Sequence, residues 1–228
     1  MTESSIENHE IWIGPRKFEV WPTGQKIGKF TDNVYAAVFD DAEQYNDILV
    51  RQMVAWEEEK RAVSPPATHG IGGTKFHNIP DWGNPAADLI HARAIALYRK
   101  LFNTDAAHVD YCWGNVYRAG DFVMPHSHRR CKASLVYCLA EGDEDPDDPL
   151  AGKFCFVDPR MPACCQQERH RMTTPAYPSF KAGTLLIFPS ELVHFVVPYH
   201  GKSPRITMSW NVADHAMPGS PEDAWQKT

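Results

Sequence analysis

The sequence predicts a mainly β protein with N-terminal helices, whose second half closes into a double-sheet, jelly-roll-like β core. Three observations carry that prediction. Two stretches in the first hundred residues show helical apolar spacing, the chain after about His108 breaks into short β-branched runs, and no helical pattern separates those runs. Strands at that spacing without crossover helices read as an antiparallel sandwich or barrel, not as a βαβ sheet. A chain of 228 residues, 43% hydrophobic and 23% charged, fits one globular domain. Within it, 1–107 read as N-terminal loop and helical support, 108–215 as the β core and 216–228 as a tail.

The first helix is expected over residues 41–61, with Tyr45, Ile48, Leu49, Met53 and Trp56 on one face. The second opens at Asn84-Pro85, a capping residue followed by proline at the first helical position. Ala86, Leu89, Ile90, Ala94, Leu97 and Leu101 form its apolar face. The intervening SPPATHGIGGTKFHNIPDWGNP is rich in Pro and Gly and reads as a long loop of the kind that covers a site. Strands are expected at 110–117, 133–139, 153–157, 184–188, 192–197 and 205–212. In GTLLIFPS, Pro189 ends a buried strand because it has no N–H to give to the ladder, and so sets where the chain turns toward His194.

The net charge of −6 argues against nucleic acid or an anionic membrane as the main partner, since both select a basic face. Six acids (Glu141, Asp143, Glu144, Asp145, Asp147 and Asp148) carry the whole imbalance and read as a solvated hairpin loop, with recognition of a cationic substrate as the alternative. The N-terminal residues lack the basic and apolar regions of a secretory signal, and no run of about 18 apolar residues suits a membrane helix. Hence a cytoplasmic protein with free thiols is expected. Cys112, Cys131, Cys138 and Cys155 read as small core hydrophobes, and the vicinal Cys164-Cys165 near His170 has no CxxC spacing to support a metal or redox role.

The informative segment is WGNVYRAGDFVMPHSH. His126 and His128, one residue apart on an extended chain, point the same way and can reach one metal ion. His194, in ELVHFVV, is a third imidazole at the mouth of a barrel. Eleven residues on, Arg205 opens RITMSWN, where alternation puts Arg205, Thr207, Ser209 and Asn211 on one face and Ile206, Met208, Trp210 and Val212 on the other. An inward-facing guanidinium calls for an anion, and a carboxylate held bidentate answers that need. Alone, each of these residues reads more simply as a strand or core residue; the set together does not. His9, His91, His108, His200 and His215 read as tail, loop or helix-face residues, while His69 and His77 flank Gly70, Gly72 and Gly73 in the long loop and are candidates to cover a substrate. Trp56, Trp82, Trp113 and Trp210 read as core.

The order HxH, distal His, then Arg in the last strand resembles the iron(II)/2-oxoglutarate-dependent oxygenase superfamily, and within it the "putative 2OG-Fe(II) oxygenase" group related to prolyl hydroxylases. SLVYCLA, GKFCFVDPR, AGTLLIFPSELVHFVVPYHG and RITMSWN carry the likeness as well, over about 110–212. The resemblance implies a double-stranded β-helix (jelly-roll/cupin-like) core, iron(II) held by His126 and His194, and 2-oxoglutarate held through its distal carboxylate by Arg205 and Thr207. It implies a cosubstrate contact for Tyr117 and, less directly, for Asn115. Where the superfamily has His-x-Asp/Glu, this chain has His128, which is either a third imidazole ligand or a neighbour of a water-filled position; its inward aim favours ligation.

The activity implied is hydroxylation of a C–H bond of a small molecule or of an amino-acid or peptide side chain, using O₂ and releasing succinate and CO₂. Two alternatives are a three-histidine non-haem dioxygenase that does not use 2-oxoglutarate and a cupin-like binding module without turnover. A homodimer is compatible with the sequence, which shows no interface.

Overall fold

The computed structural model describes residues 9–31, 33–63, 72–157 and 177–215. His69, Cys164, Cys165 and His170, singled out above, lie outside the described residues, as does the tail from 216. The described chain forms strands β1 (Glu10–Ile13), β2 (Arg16–Glu19), β3 (Gly28–Thr31) and β4 (Val34–Val38), then helix α1 (Asn46–Val63), strand β5 (Thr74–His77) and helix α2 (Pro85–Phe102). Strands β6 (His108–Tyr117), β7 (Val123–His126), β8 (Ala133–Ala140), β9 (Phe154–Phe156), β10 (Thr184–Pro189), β11 (His194–Val196) and β12 (Arg205–Ala213) follow.

A seven-stranded antiparallel sheet has the order β3-β4-β10-β8-β12-β6-β5, a three-stranded sheet the order β7-β11-β9, and β1 and β2 form a separate hairpin. The two larger sheets share a small core of Val136, Leu186 and Phe188 from one side and Phe154, Phe156 and Val196 from the other. On its far face the large sheet is covered by both helices, through Leu49 and Met53 of α1, Leu89, Ile90 and Leu97 of α2, and Ile206, Met208, Trp210 and Val212 of β12. This is the mainly β, double-stranded β-helix architecture the sequence implies.

Local chemistry sets the helices. In α2 the Asn84 side chain accepts from Ala86 N at 2.9 Å, Pro85 occupies the first turn, and Asn103 closes the helix in the left-handed region. The first helix begins later than residue 41 because Ala42–Gln44 form a separate 3₁₀ turn. Arg93 of α2 is fully buried, donating to both Asp41 carboxylate oxygens at 2.7 Å and to Tyr45 Oη at 2.6 Å, which pins α2 to that turn. Gly114 of β6 sits under α1, where a Cβ would come within 2.6 Å of Met53 Cε and of the Trp82 ring. Only glycine lets the helix layer approach the sheet there.

The N-terminal region is more than helical support. Strands β3 and β4 extend the main sheet at one edge, and β5, from within the expected long loop, closes the other edge against β6. The expected acidic hairpin also differs from a freely solvated loop. The Asp143 carboxylate accepts from Lys202 N and Ser203 N at 2.7 and 2.8 Å, and Asp143 N donates to Tyr199 Oη at 2.7 Å. Ala182 N donates to Glu141, and Asp145 pairs with His200 at 3.1 Å. The acids thus fold the 141–148 segment against the turn before β12.

Candidate metal centre and anion pocket

Register builds the site wall. Strand β12 pairs with β6 so that Arg205 faces Tyr117, Thr207 faces Asn115 and Ser209 faces Trp113; β5 continues the rows with Lys75 opposite Asn115 and His77 opposite Trp113. Directly opposed residues share a face, so these side chains line one surface. Slipping β12 by one residue would expose Ile206, Met208, Trp210 and Val212, each worth about 1.5–3 kcal/mol when buried. The hydrophobic face therefore fixes which side chains face the site.

The smaller sheet supplies the imidazoles. His126 ends β7 and is paired directly with His194 of β11, which is itself 4% exposed. His128 lies just past the end of β7, held by its N–H to Ser190 O at 2.8 Å, so only the first histidine of the pair is on a strand. One nitrogen from each of the three rings lies within 4.8 Å of the others. Among the described residues this is the one cluster of His, Cys, Asp or Glu with metal-site spacing.

Hydrogen bonding decides the tautomers. His126 Nδ1 lies 2.8 Å from Met124 O, and His194 Nδ1 lies 2.9 Å from Leu192 O. A carbonyl only accepts, so both Nδ1 atoms carry the proton and both Nε2 lone pairs are left for a metal. Burial lowers the pKa of all three rings, with His194 at about 3 and His128 at about 4; the charges of His126 and Lys75 add to the effect on His128. All three are neutral at pH 7, the form that ligates.

Arg205 is 3% exposed, its guanidinium 5.0 Å from the Tyr117 ring centroid, and its buried Nη1 has no hydrogen-bond partner among the described residues. Such an orphaned cationic donor is costly and fits a carboxylate. Tyr117 is buried, which raises its phenol pKa, while the charge of Arg205 and the neighbouring Thr207 hydroxyl act in the opposite direction. Asn115 shares the wall, with its amide oriented so that the oxygen accepts from Trp113 Nε1 and the nitrogen donates to Gly72 O, both at 2.9 Å. That bonding holds Trp113 in place. Trp113 is nearly buried, as expected of a core residue, but its ring lies beside His128 with centroids 5.9 Å apart.

Sequence reasoning missed Lys75. It lies in the Gly-rich loop expectation, and its signal, the alternation in Thr-Lys-Phe-His, is only four residues long.

The small sheet thus presents three imidazoles with metal-site spacing, and the large sheet a buried guanidinium whose Nη1 has no partner among the described residues, a donor set suited to a metal ion and an anion. Residues 111–211 match the family described as "Putative 2OG-Fe(II) oxygenase". Similar solved structures include a prolyl hydroxylase from Trichoplax adhaerens in complex with a hypoxia inducible factor peptide fragment, with TM-score 0.58 and 13% identity over 81% of this chain and 84% of that one. A Pseudomonas putida prolyl-4-hydroxylase gives 0.52 and 19% over 81% and 89%. The non-heme alpha ketoglutarate dependent carbocyclase SnoK from nogalamycin biosynthesis gives 0.57 and 11% over 86% of each. At these identities the likeness establishes the fold. No curated protein matches the sequence. No helix among the described residues is long and apolar enough to cross a membrane, and Cys112, Cys131, Cys138 and Cys155 are free thiols.

Proposed function

We propose that the protein is an iron(II)- and 2-oxoglutarate-dependent oxygenase that hydroxylates a C–H bond of a small molecule or of an amino-acid or peptide side chain. The observation that carries the reading is the orphaned Nη1 of Arg205 on the wall beside three imidazoles whose tautomers leave nitrogen lone pairs available. His126, His194 and His128 would hold the iron. Arg205, with Thr207 beside it, would take the distal carboxylate of 2-oxoglutarate, and Tyr117 would close that pocket from the neighbouring strand; Asn115 serves the pocket by fixing Trp113. When bound, iron and 2-oxoglutarate supply with O₂ the oxidation of a C–H bond to an alcohol, coupled to decarboxylation of 2-oxoglutarate to succinate and CO₂.

The chain's own contribution is orientation and charge. Met124 O and Leu192 O fix two rings, the Ser190 carbonyl fixes the backbone of the third, and Arg205 supplies a charge-assisted, directional anchor. A histidine in place of the usual carboxylate leaves the centre one charge more positive, which is the observation favouring a three-histidine dioxygenase that needs no cosubstrate. The unpaired Arg205 weighs against it, since that enzyme would bury a guanidinium without an anion. The test is succinate formation from 2-oxoglutarate by the purified chain. It should require iron(II) and disappear in His126→Ala and His194→Ala; turnover that persists in a chelator, or in both variants, refutes the proposal.

A further inference from the structure

The wall formed by β12 and β6 continues onto edge strand β5, and Lys75 there has no part in the chemistry assigned above. Lys75 is opposite Asn115 in register, and its ammonium lies 5.4 Å from the Trp113 ring centroid, the same ring that flanks His128 at 5.9 Å. Lys75 and His128 thus flank the same indole, with Lys75 two strands away from β12 and Arg205. Among the described residues no carboxylate pairs with this ammonium; Lys75 is exposed at the sheet edge, yet partial desolvation of its ammonium against the wall lowers its pKa.

Charge makes the arrangement informative. Three neutral imidazoles leave an iron dication uncompensated by protein. Dianionic 2-oxoglutarate would neutralise the metal, yet Arg205 and Lys75 would still leave the wall with two positive charges. Like charges around a partly desolvated centre repel unless a further anion enters. A cation–π contact with Trp113 is worth only about 0.5–2 kcal/mol and does not offset that repulsion.

We infer that Lys75 forms an anion-binding ledge that selects a primary substrate carrying a carboxylate or phosphate group. This rests on the oxygenase reading for its place beside the metal, but not for the anion site itself. Bound there, the anionic group would sit on Lys75 while the remainder of the substrate extends past Trp113 toward His128. The neutral surface of an unmodified apolar substrate would leave the ammonium unpaired.

The Trp113 indole N–H gives a readout that does not depend on turnover. The ¹⁵N-labelled full chain, saturated with 2-oxoglutarate and zinc(II), is titrated with inorganic phosphate, with acetate and with uncharged trimethyl phosphate, the Trp113 signal being assigned by its loss in Trp113→Phe. At least one anion should shift that signal saturably and trimethyl phosphate should not. The apparent affinity should fall at least fivefold in Lys75→Met and return in Lys75→Arg. The stronger anion identifies the substrate's head group as carboxylate or phosphate. A shift that is absent, equal for the neutral probe, or undiminished in Lys75→Met overturns the inference, as does a loss of 2-oxoglutarate affinity in Lys75→Met that would place the lysine in the cosubstrate pocket. Repeating the titration without metal separates the two readings: a Lys75-dependent shift that survives there supports the ledge even if zinc binding proves independent of His126 and His194.

Discussion

Replacing Arg205 by methionine should separate cosubstrate binding from folding, because the two depend on this side chain in opposite ways. In the protein without ligand, the substitution removes the cation–π contact to Tyr117, a loss of about 1–2 kcal/mol for a desolvated pair. It also removes a buried donor with no partner, Nη1, which relieves about 1–3 kcal/mol. The two nearly cancel, and methionine fills a similar volume, so the melting temperature should stay within about 5 °C of the unsubstituted protein. Binding should behave quite differently. Truncating one partner of a buried, hydrogen-bonded charge pair costs about 2–5 kcal/mol, so the Kd for 2-oxoglutarate should rise roughly 30- to 4,000-fold. Calorimetric titration of the manganese(II)-loaded protein with 2-oxoglutarate, beside thermal melts of both proteins, measures both numbers. A Kd within threefold of the unsubstituted value, or a melting temperature lower by more than about 10 °C, would show that Arg205 is a structural residue whose partner lies within the protein.

His194→Ala and His126→Ala should each weaken metal binding by at least a hundredfold in a competition titration against a coloured chelator, whereas His128→Ala distinguishes its two readings: tenfold or more weakening for a ligand, little change for a bystander. The depressed histidines should make the metal-free fold acid-sensitive. Below pH 6.5 the unfolded chain takes up protons that buried His194 and half-buried His128 refuse until about pH 3 and 4, so stability is full above 6.5 and falls as pH drops toward 4. With about 1.4 kcal/mol per pH unit as the ceiling for each ring, urea melts should lose about 2–4 kcal/mol between pH 6.5 and 4.5; a flat profile would contradict the burial argument. Glu57→Gln should cost about 2–4 kcal/mol in the same assay, because a fully buried carboxylate accepts from Arg118 Nε at 2.9 Å and pairs with Arg61 at 2.8 Å, and the arginines would lose their counter-charge.

Much of the site was legible because β alternation is a strict rule. Arg205, Thr207, Ser209 and Asn211 could be put on one face of one strand without knowing its neighbours, and the structure places their alternates in the helix-covered core. The direct pairing of His126 with His194 was not legible, since register between strands distant in sequence is set by packing and turns that no local pattern states. The N-terminal strands were missed for a related reason. Strand β4, Val-Tyr-Ala-Ala-Val, is only five residues long and takes its place from pairing with β10, and β5 is hidden between glycines and a proline that locally read as loop. The acidic segment misled by composition: six acids suggest solvation, but Asp143 and Glu141 are spent on backbone N–H groups of neighbouring turns. Nothing in the one-dimensional pattern marks an acid as a turn acceptor.

If iron and 2-oxoglutarate share one centre built by His126, His194, His128 and Arg205, anaerobic titration of the purified chain with iron(II) and then with 2-oxoglutarate will show it. One iron and one cosubstrate should bind per chain, with cosubstrate affinity raised at least tenfold by the metal and both events lost in the His126→Ala, His194→Ala double variant. Binding of 2-oxoglutarate that ignores iron, or iron binding that survives the double variant, would contradict it.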